Sequence, residues 1–359
     1  KILVSYKNKK IFLLTGKKSF YKSGADQIFK EIFDKTNLII YFKKNKIPTL
    51  EELKIINKKI DITQPDLFLA IGGGAVLDYA KISNSISKTE NGRLEKQIID
   101  QNIKLKKKHR LIAIPTTAGS GAEVTSNAVI YIKGVKYSIE GKPILPNDFF
   151  LIPELIVKLN KNIKASSGFD AISQAIESLI STRSTPESIK FSKKSLNLST
   201  KYFLNYYENP NIKNSLLMAE AACYSGKAIN ITKTTAPHAV SYPLTAHFNL
   251  SHGHAVSLTL NDFLKLNYEK AQFSQSIFDL KKRYELIFSL TKTNNINELD
   301  KYLNYLKSKV KLEQSFLKLG ININKKLDLI LKGVNVLRLK NNPIKLDKND
   351  LAKVFLNKK

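Results

Sequence analysis

The chain is poor in residues that several classes of protein depend on. It has one cysteine, Cys223, which excludes a disulfide framework and any zinc cluster built on thiolates; a lone thiol fits a reducing compartment. No apolar run approaches the roughly 18 residues that a membrane span needs. The opening Lys1-Ile2-Leu3-Val4-Ser5 carries no signal-peptide pattern, so a cytoplasmic location is expected. It also lacks Met, and a few residues are expected to precede it. Acids are scarce: 30 Asp and Glu stand against 59 Lys and Arg, a formal net charge of +29. Such an excess invites a phosphate-backbone partner. Yet only five of the basic residues are arginine, Arg93, Arg110, Arg183, Arg283 and Arg338, and the bidentate contacts that hold phosphates and bases favour Arg. The lysines run the whole length, as a compositional bias toward one solvated residue would leave them. No nucleic-acid or membrane partner is therefore expected. A positive field that gathers a small anionic substrate is what remains.

What is present is a 43% hydrophobic chain of 359 residues, long enough for two domains with large cores. In the first part, short apolar runs alternate with helical patterns. Ile11–Gly16, Leu38–Phe42, Asp66–Ile71 and Arg110–Pro115 read as strands. Ala25–Asp34, Thr49–Ile60 and Ala75–Ser87 read as helices, the second opening with capping-box spacing from Thr49 to Glu52. Near-continuous apolar strands separated by helices indicate a parallel sheet covered on both faces. Beyond Pro143, Pro146 and Pro153 only helical periodicities follow, at Ala165–Ser181, Glu187–Tyr207, Asn214–Asn230, Ala236–Ala246 and Ala255–Tyr268. The expected architecture is an α/β, Rossmann-like parallel-sheet domain over residues 1–153 and an all-helical domain over 154–359.

Two loops lie where such a sheet binds ligands. Gly72-Gly73-Gly74-Ala75-Val76-Leu77-Asp78 joins a strand to a helix. Its glycines let backbone amides and a helix N-terminus approach a phosphate. It is neither the six-residue dinucleotide fingerprint nor a Walker loop, and a ligand-free tight turn would look the same. Pro115-Thr116-Thr117-Ala118-Gly119-Ser120-Gly121-Ala122-Glu123 follows the fourth strand, with hydroxyls and glycines suited to phosphate or ribose. Together with the glycine turn at Gly16, the two loops favour a dinucleotide crevice contacting Gly16, Gly72, Gly73, Gly74, Asp78, Thr116, Thr117 and Ser120.

Four of the five histidines, His238, His247, His252 and His254, fall in one short window. Imidazole suits zinc or ferrous iron, and a carboxylate would complete a three-ligand site with open positions. Asp170 supplies one. It lies four residues before Gln174 on one helix face, among Ala171, Ile172, Ala175 and Ile176, and a buried carboxylate needs a partner. Spacing alone leaves open that the histidines are ordinary and that Asp170 caps or salt-bridges.

Jointly these motifs resemble the iron-containing (group III) alcohol dehydrogenase family, over nearly the whole chain. That family's Gly-Gly-Gly-Ser-x-x-Asp loop is similar to Gly72–Asp78, with Ala75 in the Ser place. Its Pro-Thr-Thr-Ala-Gly-Thr-Gly-Ser-Glu segment is similar to Pro115–Glu123, with Ser120 and Ala122 substituted. The resemblance implies metal ligands at Asp170, Gln174, His238 and His252, for Fe2+ or Zn2+. Two positions depart: Gln174 stands in a His place, and Tyr242 stands where a His often lies near the nicotinamide. Asp170–Ser178, Thr232–Tyr242, Ser251–Val256 and Arg338–Pro343 most resemble the phosphonoacetaldehyde reductase branch. The resemblance thus implies NADH- or NADPH-dependent reduction of a small, anionic aldehyde by a homodimer. Tyr242, His254 or water would supply the proton, and Lys233 and Arg338 are candidates for holding a phosphonate. The rivals are oxidoreduction of another small alcohol or polyol, a dehydroquinate synthase-like lyase, and a dinucleotide-binding protein whose metal site has decayed at Gln174.

Overall fold

The computed structural model describes residues 3–6, 8–34, 37–86 and 93–357. The chain divides into two units, Lys1–Thr117 with Gly121–Leu159, and Ala118–Ser120 with Asn160–Lys359. The first runs β1 (Lys10–Gly16), α1 (Lys17–Ser23), α2 (Ala25–Ile28), α3 (Lys30–Phe33), β2 (Asn37–Lys43), α4 (Leu50–Thr63), β3 (Leu67–Gly72), α5 (Gly74–Ser83), α6 (Leu94–Ile99), β4 (Arg110–Pro115), β5 (Asn127–Ile132), β6 (Val135–Glu140), β7 (Asp148–Phe149) and α7 (Pro153–Val157). The division falls just past α7, whose Leu155 packs with the sheet residues of this unit.

Five strands pair in parallel in the order β2-β1-β3-β4-β7. The apolar runs of β1, β3 and β4 are buried on both faces because successive side chains alternate sides. Phe12, Leu14, Phe68, Ala70, Leu111 and Ala113 enter one core. Ile11, Leu13, Leu67, Leu69, Ile71, Ile112 and Ile114 enter the other. Chain order reverses between β1 and β3, the place where open sheets of this kind leave a crevice at their C-terminal ends. Gly16 and Gly72 end those two strands.

Three local outcomes differ from the sequence reading. The helix expected over Ala25–Asp34 breaks at Phe29, whose backbone turns to φ −100°, ψ 4° as its ring joins the core. The capping box of α4 is half formed: Thr49 Oγ1 accepts from Glu52 N at 3.4 Å. The Glu52 carboxylate instead accepts from Lys44 N and Asn45 N at 2.5 and 2.9 Å, holding the loop after β2, while Thr49 N donates to Tyr79 Oη at 2.7 Å. The antiparallel hairpin β5–β6 was not anticipated; its two-residue turn, Lys133 and Gly134, has φ of 50° and 80°, the positive values that hairpin turns of this length require. The helix expected over Ala75–Ser87 is α5, and Ser87 lies outside the described residues.

The second unit is helical, with no strand among its described residues: α8 (Lys161–Ile180), α9 (Pro186–Glu208), α10 (Ile212–Thr232), α11 (Ala236–Phe248), α12 (His252–Ser257), α13 (Leu260–Glu269), α14 (Leu280–Thr291), α15 (Ile296–Lys309), α16 (Ile323–Lys332), α17 (Val336–Leu339) and α18 (Lys348–Leu356). The expected Ala255–Tyr268 helix is interrupted at Thr259, which leaves helical geometry at φ −123°. No described helix is long and apolar enough to cross a membrane. At the centre lies α8, buried along nearly its whole length from Lys164 onward and packed against α9, α10 and α12. Glycines set two of these approaches. A Cβ on Gly168 would sit 2.4 Å from the Phe203 ring, and one on Gly253 would sit 2.0 Å from the Ser166 carbonyl oxygen and 2.8 Å from Asp170 Cβ. The second contact brings the start of α12, and with it His252, onto Asp170.

Gly253→Ala must push α12 away from a backbone carbonyl, since nothing flexible is there to yield. A loss of about 1–3 kcal/mol is expected from such overpacking. Denaturant unfolding measures it, and a midpoint equal to wild type would show that the two helices do not meet this closely.

Candidate functional site

Asp170, Gln174 and Glu177 recur at i, i+4 and i+7 along α8 and so share one face. His238 lies in the first turn of α11, and His252 opens α12. Glu177 is fully buried and faces the α11 N-terminus. One carboxylate oxygen accepts from Thr235 N and Thr235 Oγ1, both at 2.9 Å, and from His238 N at 3.4 Å. Its other oxygen meets His238 Nδ1. Unpaired amides and the helix dipole both favour an anion there. The same contact makes Nδ1 the protonated nitrogen and turns Nε2 toward Asp170.

Nε2 of His238 and Oδ1 of Asp170 lie 3.3 Å apart, yet both are buried without a hydrogen-bond partner. Ligand atoms of Asp170, His238 and His252 all fall within 4.8 Å of one another. One oxygen and two imidazole nitrogens at such separations fit a divalent ion with ligand bonds of about 2.0–2.2 Å. Asp170 and His238 are 4% and 3% exposed, and the partly exposed His252 leaves one side approachable. Burial by itself would lower the His238 pKa, but Glu177 and then Asp170 outweigh it and push the ring up to about 9. Without a metal, the imidazole therefore holds a proton at neutral pH.

Gln174 stands behind Asp170. Its Nε2 donates to Asp170 Oδ2 at 3.1 Å, and its Oε1 accepts from Ser225 Oγ at 3.0 Å. The reverse amide orientation would set two acceptors against each other. Gln174 thus orients the Asp170 carboxylate, with its own oxygen engaged by Ser225. Tyr242 lies one turn beyond His238, its ring 6.0 Å from that of His252. Its hydroxyl is hydrogen-bonded by Arg338 and Thr234; burial raises its pKa and the Arg338 charge pulls it back. His254 is two residues past His252, on the other side of α12. Its Nε2 contacts the Glu313 carbonyl oxygen at 2.7 Å and its backbone N donates to Ser166 Oγ at 3.2 Å. Lys233, only 8% exposed, holds φ 59°, ψ 178°, a conformation nearly confined to glycine that costs about 1–3 kcal/mol.

In the first unit, the glycine loop is shaped by its neighbours. A Cβ on Gly72 would sit 2.5 Å from Val76 Cγ2, and one on Gly73 would meet Thr117 at 3.4 Å. Thr116 N donates to Gly72 O at 3.0 Å, tying the two loops together. A Cβ on Gly16 would crowd Ser19 Oγ at 2.8 Å. Asp78 lies on α5 and accepts from Val129 N in the hairpin; burial pushes its carboxyl up to about 6 against the pull of Lys81 and Lys136. Buried Lys81 donates to Ala122 O, Thr125 Oγ1 and Asn127 O at 2.9, 2.9 and 2.6 Å. Ser120 belongs to the second unit, where a Cβ on its neighbour Gly119 would sit 2.7 Å from Ser167 Cβ. Sequence reasoning did not single out Glu177, although its i+7 spacing from Asp170 was a usable signal.

A family model described as iron-containing alcohol dehydrogenase matches residues 1–153, and one for the C-terminal part of that family matches residues 164–358. A phosphonoacetaldehyde reductase of Streptomyces viridochromogenes is 32% identical over 230 residues, 61% of this chain and 58% of that enzyme. A 4-hydroxybutyrate dehydrogenase of Clostridium kluyveri is 27% identical over 82% of this chain and 76% of its own length. The crystal structure of sulfoacetaldehyde reductase from Bifidobacterium kashiwanohense in complex with NAD+ superposes with a TM-score of 0.85 at 25% identity, covering 98% of this chain and 91% of that one.

Metal and proton compete for His238. In the metal-free protein, the raised pKa makes the His238 pairing fully stabilising below the ordinary imidazole value of 6.5, and that contribution drains away as pH rises through about 9. A divalent ion needs Nε2 free of its proton, so its affinity falls as pH falls. Calorimetric titration of metal-free protein with Zn2+ at pH 7, in buffers of different ionisation heat, should register about one proton released per ion. No release would refute the assignment. Glu177→Gln is expected to weaken metal affinity about 10- to 100-fold, measured in the same titration.

Proposed function

The chain belongs to the iron-containing alcohol dehydrogenase family, and on that premise we propose that it reduces a small aldehyde to its alcohol with NADH or NADPH and a divalent metal, phosphonoacetaldehyde giving 2-hydroxyethylphosphonate being the leading substrate. The observation that carries this reading is the convergence of Asp170, His238 and His252 around two buried atoms that have no hydrogen-bond partner. When bound, the nicotinamide supplies the hydride, and Fe2+ or Zn2+ supplies Lewis acidity toward the carbonyl oxygen. Asp170, His238 and His252 hold the ion, Glu177 fixes the His238 ring, and Gln174 fixes the Asp170 carboxylate. The amides of Gly72–Gly74 and the N-terminus of α5 take the pyrophosphate, with Gly16, Thr116 and Thr117 lining the rest of the dinucleotide. Asp78 joins α5 to the hairpin and so keeps the glycine loop in shape. The reduced carbonyl also needs a proton. We take Tyr242 as its source, with the Arg338 charge drawing down a pKa that burial raises. His254 has its Nε2 committed to a backbone carbonyl.

Three of the similar proteins are named for substrates that carry a phosphonate, a sulfonate or a carboxylate, which supports an anionic aldehyde. A 1-propanol dehydrogenase of Salmonella typhimurium, 25% identical over 74% of this chain, is named for a neutral alcohol. The oxidoreduction of a neutral small alcohol is the second reading.

Oxidation of NADH and NADPH should be followed with phosphonoacetaldehyde, acetaldehyde and glycolaldehyde. The leading substrate is expected to give the highest kcat/KM. Turnover of the neutral aldehydes alone would leave the family chemistry and remove phosphonoacetaldehyde. His252→Ala is expected to abolish metal-dependent turnover and to lower the metal content of purified protein; an active, metal-replete variant would overturn the ligand set.

A further inference from the structure

Resting on the ligand set proposed above, we propose that Lys307 and His254 are positioning residues for the metal centre: they fasten α12 to α15 and to the turn that follows it, and so hold His252 in place. The three ligands differ in how they are carried. Asp170 stands on the 20-residue α8 and His238 on the 13-residue α11, whereas His252 opens α12, which has 6 residues. A helix that short has no stability of its own in water. Its N-cap residue, Ser251, makes no side-chain capping bond. What holds α12 therefore comes from elsewhere in the chain.

At its start, Gly253 packs on α8 and the Ser166 hydroxyl accepts from His254 N. The remaining contacts come from α15 and beyond. His254 and Ser257 stand at i and i+3 and so share a face of α12. The His254 ring donates from Nε2 to the Glu313 carbonyl at 2.7 Å, since a carbonyl can only accept. Glu313 is held in turn, its carboxylate accepting from Gln314 N and Ser315 N, both at 2.8 Å. At the other end of α12, Lys307 Nζ donates to Ser257 O at 3.3 Å and to Asn261 Oδ1, in α13, at 3.0 Å. Last-turn carbonyls lack helical partners and favour a cation. The Asn261 amide nitrogen donates to Asp300 Oδ1 at 2.7 Å and to Asn304 Oδ1 at 3.0 Å, which turns its oxygen to the ammonium.

Packing does not account for Lys307. The buried residues of α15 are Leu299, Leu303, Leu306 and Lys307, and the lysine is 1% exposed. A leucine would fill that position without the cost of burying a charge. The ammonium bridges the place where α12 ends and α13 begins, the junction at Thr259 that interrupts an otherwise continuous helix. The junction leaves Thr259 Oγ1 fully buried with no hydrogen-bond partner. That arrangement is unfavourable, and the Lys307 contacts offset it. By stopping α12 there, the junction lets its direction be set by α8 and α15 rather than by α13.

The test titrates the metal-free chain with Co2+, whose visible absorption follows the geometry of its ligands, and measures melting temperature alongside. Lys307→Met keeps a long side chain and removes the ammonium. His254→Phe keeps a ring and removes the N–H. Each is expected to weaken Co2+ affinity about tenfold, the scale on which support of a metal ligand acts, and to alter the spectrum of the bound ion. Lys307→Arg, which keeps a buried cation, should recover part of the affinity. Tyr284→Phe is the control. It removes the buried bond from Tyr284 Oη to Leu264 O at 2.8 Å, on α13 past the junction, and should lower the melting temperature while leaving Co2+ affinity and spectrum as in wild type. If Lys307→Met does not fold, His254→Phe decides by the same readouts. Wild-type affinity and spectrum in the folded variants overturn the proposal, and so does an equal loss in Tyr284→Phe. Equal Co2+ binding by wild type and His252→Ala would instead remove the ligand set on which the proposal rests.

Discussion

The buried pairing of Glu177 with His238 is the contact on which the second unit is organised. A carboxylate without exposure is costly unless every lone pair is used, and Glu177 spends its oxygens on the Thr235 amide and hydroxyl and on the His238 amide and ring. That one group therefore anchors α8 to the start of α11, satisfies helix-terminal amides and chooses the His238 tautomer. Asp170 adds a second carboxylate to the same imidazole. Two carboxylates around one ring call for a cation. The raised pKa of His238 says that a proton fills that role when nothing else does; in the reading proposed above, a divalent ion between Asp170, His238 and His252 takes its place.

Geometry follows from small residues as much as from charge. His252 reaches the pair because Gly253 lets α12 touch the α8 backbone at Ser166. Gly168, nearer the start of α8, lets Phe203 close on the same helix. Gln174 and Ser225 form the next layer, joining α10 to the Asp170 carboxylate. The departure from the family pattern at Gln174 thus coincides with an orienting contact.

Much of this was legible in the sequence where the signal is periodic. The parallel sheet follows from apolar runs at β1, β3 and β4 that are buried on both faces, and the helical half from long 3.6-residue periodicities. Asp170, His238 and His252, expected as a group from their residue types, do come together in the fold. The β5–β6 hairpin was hidden, since a Lys-Gly turn is a weak punctuation mark beside Asn-Gly or Asp-Gly. The return half of the α4 capping box failed because Glu52 had competing amides at Lys44 and Asn45, a tertiary preference that local spacing does not encode. Glu177 was passed over for a similar reason: its partner lies in α11, far along the chain, and a lone glutamate on a helix is ordinarily solvated. The break at Phe29 belongs to the same class, being set by where one ring finds room.

Composition carries a last lesson about where geometry matters. Lysine is so favoured in this chain that an arginine held in a defined contact stands out; Arg93 and Arg183 are exposed, but Arg110 and Arg283 are so held. Arg110 places both Nε and Nη2 on one oxygen of Asp148, at 2.9 and 2.8 Å, at the edge where β4 meets β7. Arg283 donates from one nitrogen to Leu179 O and Ser184 Oγ, at 2.9 and 2.8 Å, and stacks over Phe278. It thereby closes the C-terminal end of α8, where unpaired carbonyls and the helix dipole favour a cation. One end of α8's working face is thus held by an arginine and its middle by the Glu177 pairing, so the Asp170–Gln174–Glu177 ladder has little freedom to rotate.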